Sequence, residues 1–376
     1  MLGGTSSMRQ YATASLSKQR PLFHEVFPQK RTVNRLLFEL DSKHTFSKLY
    51  PVYESIYNAM QREVDTKIPK SVSPSDLMVM KKVLEKIRHR TKSINPHLLG
   101  LENALLDKSA ELGNNDAIAL LAFDVLKDPE HNTTDDVNYG KKLVRELYRR
   151  NHHLTFKLLG DLSLKSGNDV EASKYYFKFL QLEDNSYLAG EVYGQLGQIN
   201  FRKPDLSEAE RCFLKAVKLS PLEYSVHSHF YLSQIYMNSN PVKARALMEN
   251  CATQGYRESF KALGFLEMNY FSEMRKAREW FKLGMELFDI ECFVGFFDCS
   301  LNLRDFSAAN KCYNNILQFR PVNETYKNII DEFIKNRHQD IEEAQKYSDK
   351  PLMHNPAYEK IAKENSIVPK ENRWEL

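Results

Sequence analysis

Residues 256–300 read YRESFKALGFLEMNYFSEMRKAREWFKLGMELFDIECFVGFFDCS, and their spacing is that of paired amphipathic helices. Ala262 and Gly264 place two small residues on the first predicted helix, where the backbone of a partner can approach closely. Ala277 and Phe281 then contribute to an apolar stripe on the second. The stretch therefore predicts one helical hairpin followed by the start of a third helix.

This layout recurs along the chain. The positions equivalent to Gly264 are Gly160, Gly197, Ser233 and Phe297. The steps between them are 37, 36, 31 and 33 residues, which bracket the ~34-residue tetratricopeptide period. A unit of this kind cannot bury its apolar face alone, so stacked neighbours make the core, and such solenoids usually bind rather than catalyse. The alternative is an ordinary, irregular helical domain.

We therefore predict an all-α protein, a tetratricopeptide/Sel-like helical-repeat solenoid over residues 101–321. An extra helical region precedes it at residues 23–100, where the apolar pattern is helical but out of register with the repeats. Residues 322–347 are predicted to hold one capping helix, from Tyr326 to Tyr347, that covers the open end of the last unit. The polar residues 348–376 are predicted to be a poorly ordered tail.

The first 22 residues have the composition of a mitochondrial transit peptide. No acidic residue precedes Glu25, while Arg9, Lys18 and Arg20 are scattered among serines and threonines. The apolar core of a secretory signal is missing. We expect cleavage near Ala12 or a little after it, and the alternative is a disordered polar tail.

Composition and motifs argue against catalysis and against a membrane span. No stretch approaches the ~18 consecutive apolar residues of a transmembrane helix. The sequence lacks a Gly-rich phosphate loop, Gly-x-Ser-x-Gly and His-Glu-x-x-His. The five cysteines have spacings that match no zinc pair, and for the histidine pairs at 152–153 and at 227 and 229 the single nearby candidate for a further ligand is Glu223. We expect no enzyme, no cofactor and no metal, with cysteines and histidines used in packing.

A basic run marks the predicted helix from Leu77 to Lys92, which Ser73 and Asp76 can cap. Its cations are Lys81, Lys82, Lys86, Arg88, Arg90 and Lys92. Such a run is a solvated face, a contact with an anionic membrane surface, or a contact with nucleic acid. As a membrane surface, it would supply at most ~5 kcal/mol of salt-sensitive attachment. That is peripheral association.

The first helix of each tetratricopeptide unit lines the concave side of the stack, and the register assigns a set of polar and apolar residues to this groove. They are Lys157, Asp161, Lys165, Gln198, Phe201, Arg202, Phe230, Gln234, Met237, Lys261, Phe265, Met268 and Asp298. This mixture suits an extended peptide, whose backbone the amides can bind while Phe and Met accept its side chains. For each residue alone, the alternative is ordinary surface or packing.

Three blocks resemble a fungal mitochondrial family, the export factor for the C-terminal tail of cytochrome c oxidase subunit II that is named as a splicing suppressor. They are FPQKRTVNRLLFELD at 27–41, RNHHLTFKLLGDL at 150–162 and the longest block at 249–300. The tail after Pro321 departs from the family, being longer and more polar. The resemblance implies no catalytic residues.

The resemblance further implies a peripheral inner-membrane protein on the matrix side. Such a protein would help an Oxa-type insertase move the hydrophilic C-terminal domain of subunit II across the inner membrane. The competing interpretation is a matrix RNA-binding factor in splicing or translation. An RNA binder built from repeats should show Lys or Arg at the same concave position in unit after unit. These positions alternate Lys, Gln, Phe and Met, which favours a peptide over nucleic acid.

Overall fold

The computed structural model describes residues 21–62, 68–322 and 324–348, and every regular element in these ranges is helical. The all-α prediction is confirmed. All but the last two residues of the predicted transit peptide, and nearly all of the predicted tail, lie outside the described residues. The chain divides between Asp184 and Asn185 into two compact units.

The first unit contains nine α-helices in its described part. They are α1 Phe23–Val26, α2 Lys30–Glu39, α3 Phe46–Arg62, α4 Pro74–Thr91, α5 Pro96–Glu111, α6 Asn115–Lys127, α7 Thr134–Arg149, α8 His153–Lys165 and α9 Asp169–Leu182. Helices α4 and α5, α6 and α7, and α8 and α9 pack as pairs.

Helices α1 to α5 share one apolar core. Tyr53 is fully buried in it, and its hydroxyl donates a 2.8 Å hydrogen bond to the carbonyl of Met80. Leu101 and Leu105 belong to the same core. The N-terminal helical region therefore runs to the end of α5, and the boundary predicted at residue 100 lies inside that helix. The helix is continuous because Asn95 caps its start and the next capping residue follows only at Asn114.

Helix α4 begins where the sequence predicts. The Ser73 hydroxyl oxygen accepts a hydrogen bond from the amide of Asp76, and the Asp76 carboxylate accepts one from the Ser73 amide at 2.7 Å. This reciprocal capping box satisfies two amides that the helix itself leaves without partners.

Replacing Ser73 with alanine should lower the free energy of unfolding by about 1 kcal/mol, since the cap oxygen is lost. The measurement is urea unfolding followed by circular dichroism. Ser75→Ala, two residues further on at an exposed position, is the matched control and should be neutral. Equal stability of the two variants would contradict a capping role for Ser73.

The second unit contains ten α-helices in its described part. They are α10 Tyr187–Arg202, α11 Leu206–Leu219, α12 Leu222–Tyr236, α13 Pro241–Thr253, α14 Arg257–Asn269, α15 Met274–Glu286, α16 Ile290–Asn302, α17 Phe306–Gln318, α18 Glu324–Asn336 and α19 His338–Tyr347. The helices from α10 to α17 pair as four hairpins, each made of consecutive helices. Asp205, Asn240 and Asp305 cap the second helix of three of these hairpins through their side-chain oxygens.

The small residue of the repeat receives an aromatic ring, not a partner backbone. A Cβ atom added to Gly264 would lie 2.4 Å from the ring of Phe281, and one added to Gly197 would lie 2.6 Å from the ring of Phe213. In the first unit, Gly160 faces Tyr176 in the same way at 2.4 Å. These three hairpins therefore close by inserting a ring of the second helix over a glycine of the first.

The predicted single capping helix is wrong, because the segment forms two helices that break at Arg337. A straight helix from Tyr326 to Tyr347 would be about 33 Å long, against about 20 Å for α17, and its far end would have no surface to cover. The break lets Ile341 join Phe333 in one buried cluster with residues of α16 and α17. In the described ranges, no helix is both long enough and apolar enough to cross a membrane.

Candidate functional site

The residues that directly follow the small position of each hairpin form a row on the first helices of the second unit. We call Gln198, Gln234, Phe265 and Asp298 the A-helix row. All four are partly exposed, so the repeat register brings them to equivalent positions, one on each of α10, α12, α14 and α16.

Two members of the row are glutamines whose amides have no partner. Gln198 and Gln234 are half-buried, and among the described residues neither side chain makes a hydrogen bond. Each side-chain amide carries two N–H donors and a carbonyl acceptor, the complement of an extended peptide backbone. The two lie one repeat apart on neighbouring helices that pack together.

Three tyrosines that were not predicted as groove residues lie on or next to the same first helices, about three turns from the A-helix row. Tyr187 and Tyr224 meet edge to face with centroids 4.9 Å apart, and Tyr256 contacts both Phe230 and His227 at 5.1 Å. These three tyrosines lie at or next to the first turn of α10, α12 and α14. Because they recur at the repeat spacing, alignment of the units could have found them. Burial raises the pKa of Tyr256 to about 12, so its hydroxyl stays protonated and able to donate.

Four other predicted groove residues are partly or wholly used in packing. The ring of Phe201 contacts Tyr231 at 5.0 Å, and that of Phe265 contacts Phe281 at 5.0 Å. Met237 and Met268 pack against separate apolar clusters of the second unit. These side chains help to hold neighbouring helices, and only their exposed edges are open to a ligand. Arg202, at the end of α10, is exposed.

Two of the charged groove residues of the second unit, Lys261 and Asp298, are ion-paired within the chain. Lys261 lies 2.9 Å from Glu291. Its partial burial alone would lower the pKa of the ammonium group, but the hydrogen bond and charge of Glu291 outweigh this and raise that pKa. Asp298 accepts two 2.7 Å hydrogen bonds from the guanidinium of Arg337. Asp298 thereby ties α16 to the break between the two terminal helices.

The three groove residues predicted in the first unit are also engaged. Lys157 is buried and lies 2.9 Å from the carboxylate of Asp161, which also accepts a hydrogen bond from the hydroxyl of Tyr176. Lys165 is exposed and donates to the carbonyl of Lys127 at 3.4 Å. The features that suit a peptide are therefore concentrated in the second unit.

The basic helix α4 is largely neutralised by carboxylates of the first unit. Lys81 pairs with Glu85 at 2.8 Å, and Lys86 and Arg90 both pair with Glu39, at 3.7 and 2.8 Å. These contacts lower the charge that this helix can offer a membrane.

Arg88 makes the most buried of these ion pairs, donating two hydrogen bonds to the carboxylate of Glu102 in α5. Hydrogen bonding to Glu102 raises the pKa of the Arg88 guanidinium above its ordinary value. Lys82 and Lys92 are exposed and have no carboxylate within 4.0 Å among the described residues. Only these two of the six predicted membrane cations remain open.

The cysteines are buried, and the histidines at 152 and 153 lie beside carboxylates. All five cysteines are free and buried. Burial raises the pKa of the Cys212 thiol to about 11 and those of the other four to about 12, which makes them poor nucleophiles. His152 pairs with Asp116 at 3.1 Å and His153 with Glu183 at 3.4 Å. Within the described part of the chain, no group of three or more His, Cys, Asp or Glu residues could hold a metal ion.

Comparison with known proteins shows similarity in sequence and in structure. The family model of the MSS2 N-terminal domain matches residues 19–114. Over 299 residues the chain is 42% identical to the protein "Protein MSS2, mitochondrial" of Saccharomyces cerevisiae, an alignment that covers 77% of this chain and 85% of the relative. Similar solved structures include the Sel1 repeat protein of Oxalobacter formigenes, at 15% identity over 64% of this chain and 98% of that one, with a TM-score of 0.43. Another is the type IV pilus biogenesis factor PilW, at 14% identity over 58% and 99%, also with a TM-score of 0.43.

Proposed function

The chain belongs to the MSS2 family, and from this premise we propose that it is a non-enzymatic mitochondrial factor that holds an unfolded segment of cytochrome c oxidase subunit II. It helps export the C-terminal domain of that subunit across the inner membrane together with an Oxa-type insertase. It works as a peripheral protein on the matrix side.

The observation that carries this proposal is the pair of unpartnered glutamine amides, Gln198 and Gln234, among half-buried rings on neighbouring helices. Their donors and acceptors can bond the backbone of an extended chain whatever its side chains are. Selectivity is then loose, and the affinity is on the order of micromolar, weak enough for release to an insertase. Lys157 and Lys261 are ion-paired and offer no free charge to phosphates, which supports a peptide rather than RNA.

Replacing both glutamines with alanine should weaken binding of a subunit II peptide about tenfold. Each lost hydrogen bond contributes about 0.5–1.5 kcal/mol, and about 1.4 kcal/mol is a tenfold change in Kd. The measurement is fluorescence anisotropy with labelled peptides that tile the C-terminal domain of the protein's own subunit II.

The matched control is Gln318→Ala with Gln339→Ala, two exposed helical glutamines of the same unit that are not in the A-helix row. It should bind as the parent does. Gln198→Ala with Gln234→Ala should also leave the subunit II tail in the matrix in a protease-protection assay. Parent-like peptide binding and export by this folded variant would exclude the row as the client site.

A further inference from the structure

Helix α7 carries an exposed cationic surface that no carboxylate neutralises. Lys141, Arg145 and Arg149 repeat every four residues along one side of the helix, over about 12 Å, and Lys142 lies beside them. All four are exposed, and none has a carboxylate partner in the described part of the chain. Glu146 is the single acid in the last three turns of the helix. The opposite side, with Gly140, Val144 and Leu147, is buried.

A lysine of the neighbouring helix α9 extends this surface and covers two aromatic rings beside it. Lys178 of α9 donates a 2.7 Å hydrogen bond to the hydroxyl of Tyr148, which raises the pKa of its ammonium group. The same ammonium lies over the rings of Tyr148 and Phe156, at 5.1 and 5.7 Å from their centroids. We call Lys141, Lys142, Arg145, Arg149 and Lys178 the α7 basic face.

The cations of α4 and those of α7 differ in whether they contact carboxylates. Four of the five lysines and arginines of α4 contact carboxylates of its own unit, so its positive run stabilises the fold. The cations of α7 have the same density in the sequence but point to solvent. Unpaired charges on the exposed side of an amphipathic helix attract an anionic surface without needing a pocket.

We propose that the α7 basic face docks the protein on an anionic phospholipid surface. This inference rests on the proposed peripheral attachment for the choice of a lipid partner. Specific binding of single-stranded RNA uses aromatic rings that stack on bases, and the rings beside this face are already covered by Lys178. A lipid surface needs only an array of long, mobile cations, which this face supplies.

The experiment compares binding of the full-length protein to vesicles of phosphatidylcholine with and without cardiolipin. The test variant changes Lys141, Lys142, Arg145 and Arg149 to Gln, which keeps helix propensity while removing four charges. The control variant changes Lys218, Lys276, Lys282 and Lys311 to Gln, four exposed helical lysines of the second unit. The two variants have the same net charge, so any difference between them reports where the charges lie.

We expect the parent and the control variant to bind vesicles that contain cardiolipin and not those without it. High salt should release both proteins from the vesicles. The α7 variant should bind at least about tenfold more weakly. The proposal is overturned if the parent ignores cardiolipin, if both variants lose binding equally, or if the α7 variant binds as the parent does.

Two further readouts separate this proposal from others. A parent that binds a 20-nucleotide RNA more tightly than the vesicles, with the α7 variant losing that binding, would assign the face to nucleic acid instead and overturn the lipid proposal. Subunit II peptide binding is measured on the same α7 variant and should be unchanged, because the A-helix row lies in the other unit. Failure of lipid docking with intact peptide binding therefore leaves the proposed function standing, and the reverse outcome leaves this inference standing.

Discussion

Replacing Phe281 with alanine should lower the free energy of unfolding of the second unit by about 3–5 kcal/mol. Phe281 is fully buried, and its ring lies between two glycines on different helices. A Cβ atom added to Gly264 of α14 or to Gly295 of α16 would lie 2.4 Å from this ring. One side chain of α15 thus holds its own hairpin and the next one. The cavity left by alanine would face two residues without side chains to fill it, which places the loss toward the upper end.

The reverse change tests the same contact from the glycine side. Gly264→Leu should cost about 1–3 kcal/mol by overpacking against the ring. In a Phe281→Leu background, the smaller side chain gives room, so the further cost of a substitution at Gly264 should shrink. The measurement is urea unfolding followed through the fluorescence of Trp280, which lies in α15 next to this ring.

Ala246→Leu is the control for the added side chain, because Ala246 is a helical but exposed position of the same unit. It should change stability by no more than about 0.5 kcal/mol. Two results would show that the close contact has no energetic role. One is the same free energy of unfolding for Gly264→Leu and the parent. The other is an equal loss of stability from Gly264→Leu with Phe or with Leu at position 281.

The repeat register could be predicted from the sequence because small and aromatic residues recur at fixed distances along one chain. Gly160, Gly197 and Gly264 all lie at the predicted position and all face a ring. What spacing could not reveal is which atoms fill the space over a glycine. In the last hairpin the equivalent position is Phe297, and its ring contacts Phe333 at 5.2 Å instead. The family resemblance read from three blocks is confirmed by the 42% identity to the yeast protein.

The register predicts which residues take equivalent positions on the first helices, but not which partners their side chains find. It groups Gln198 with Gln234, and among the described residues neither side-chain amide has a hydrogen-bond partner. It also includes Asp298, whose partner Arg337 lies at a helix break that the hydrophobic pattern did not reveal. A helical sequence pattern reveals ion-pair partners that lie three or four residues apart on one helix, such as Lys81 and Glu85. It gives no information about partners on other helices, and for this reason α4 resembled a free basic surface.

Replacing Arg88 with glutamine should therefore destabilise the N-terminal helices by about 3 kcal/mol, the lower end of the range for removing one partner of a buried ion pair. The side chain of Glu102 is 3% exposed, so its carboxylate regains only part of its hydration when the guanidinium is removed. Arg88 itself is 30% exposed, and water that reaches its place moderates the loss. A role for Arg88 in membrane contact alone predicts no change in stability.

Two variants separate these explanations. Lys82→Gln removes the same charge from the same helix at an exposed position without a carboxylate partner, and it should be neutral within about 0.5 kcal/mol. Arg88→Gln combined with Glu102→Gln should recover much of the loss, because two neutral amides can bond to each other and no charge stays buried. The measurement is hydrogen exchange of the amides of α4 and α5 in the full-length protein. If the amides exchange at the same rates in Arg88→Gln and in Lys82→Gln, then Arg88 is a solvated surface residue without a role in stability. If exchange is faster in Arg88→Gln and the double variant reverses this increase, then Arg88 stabilises the fold.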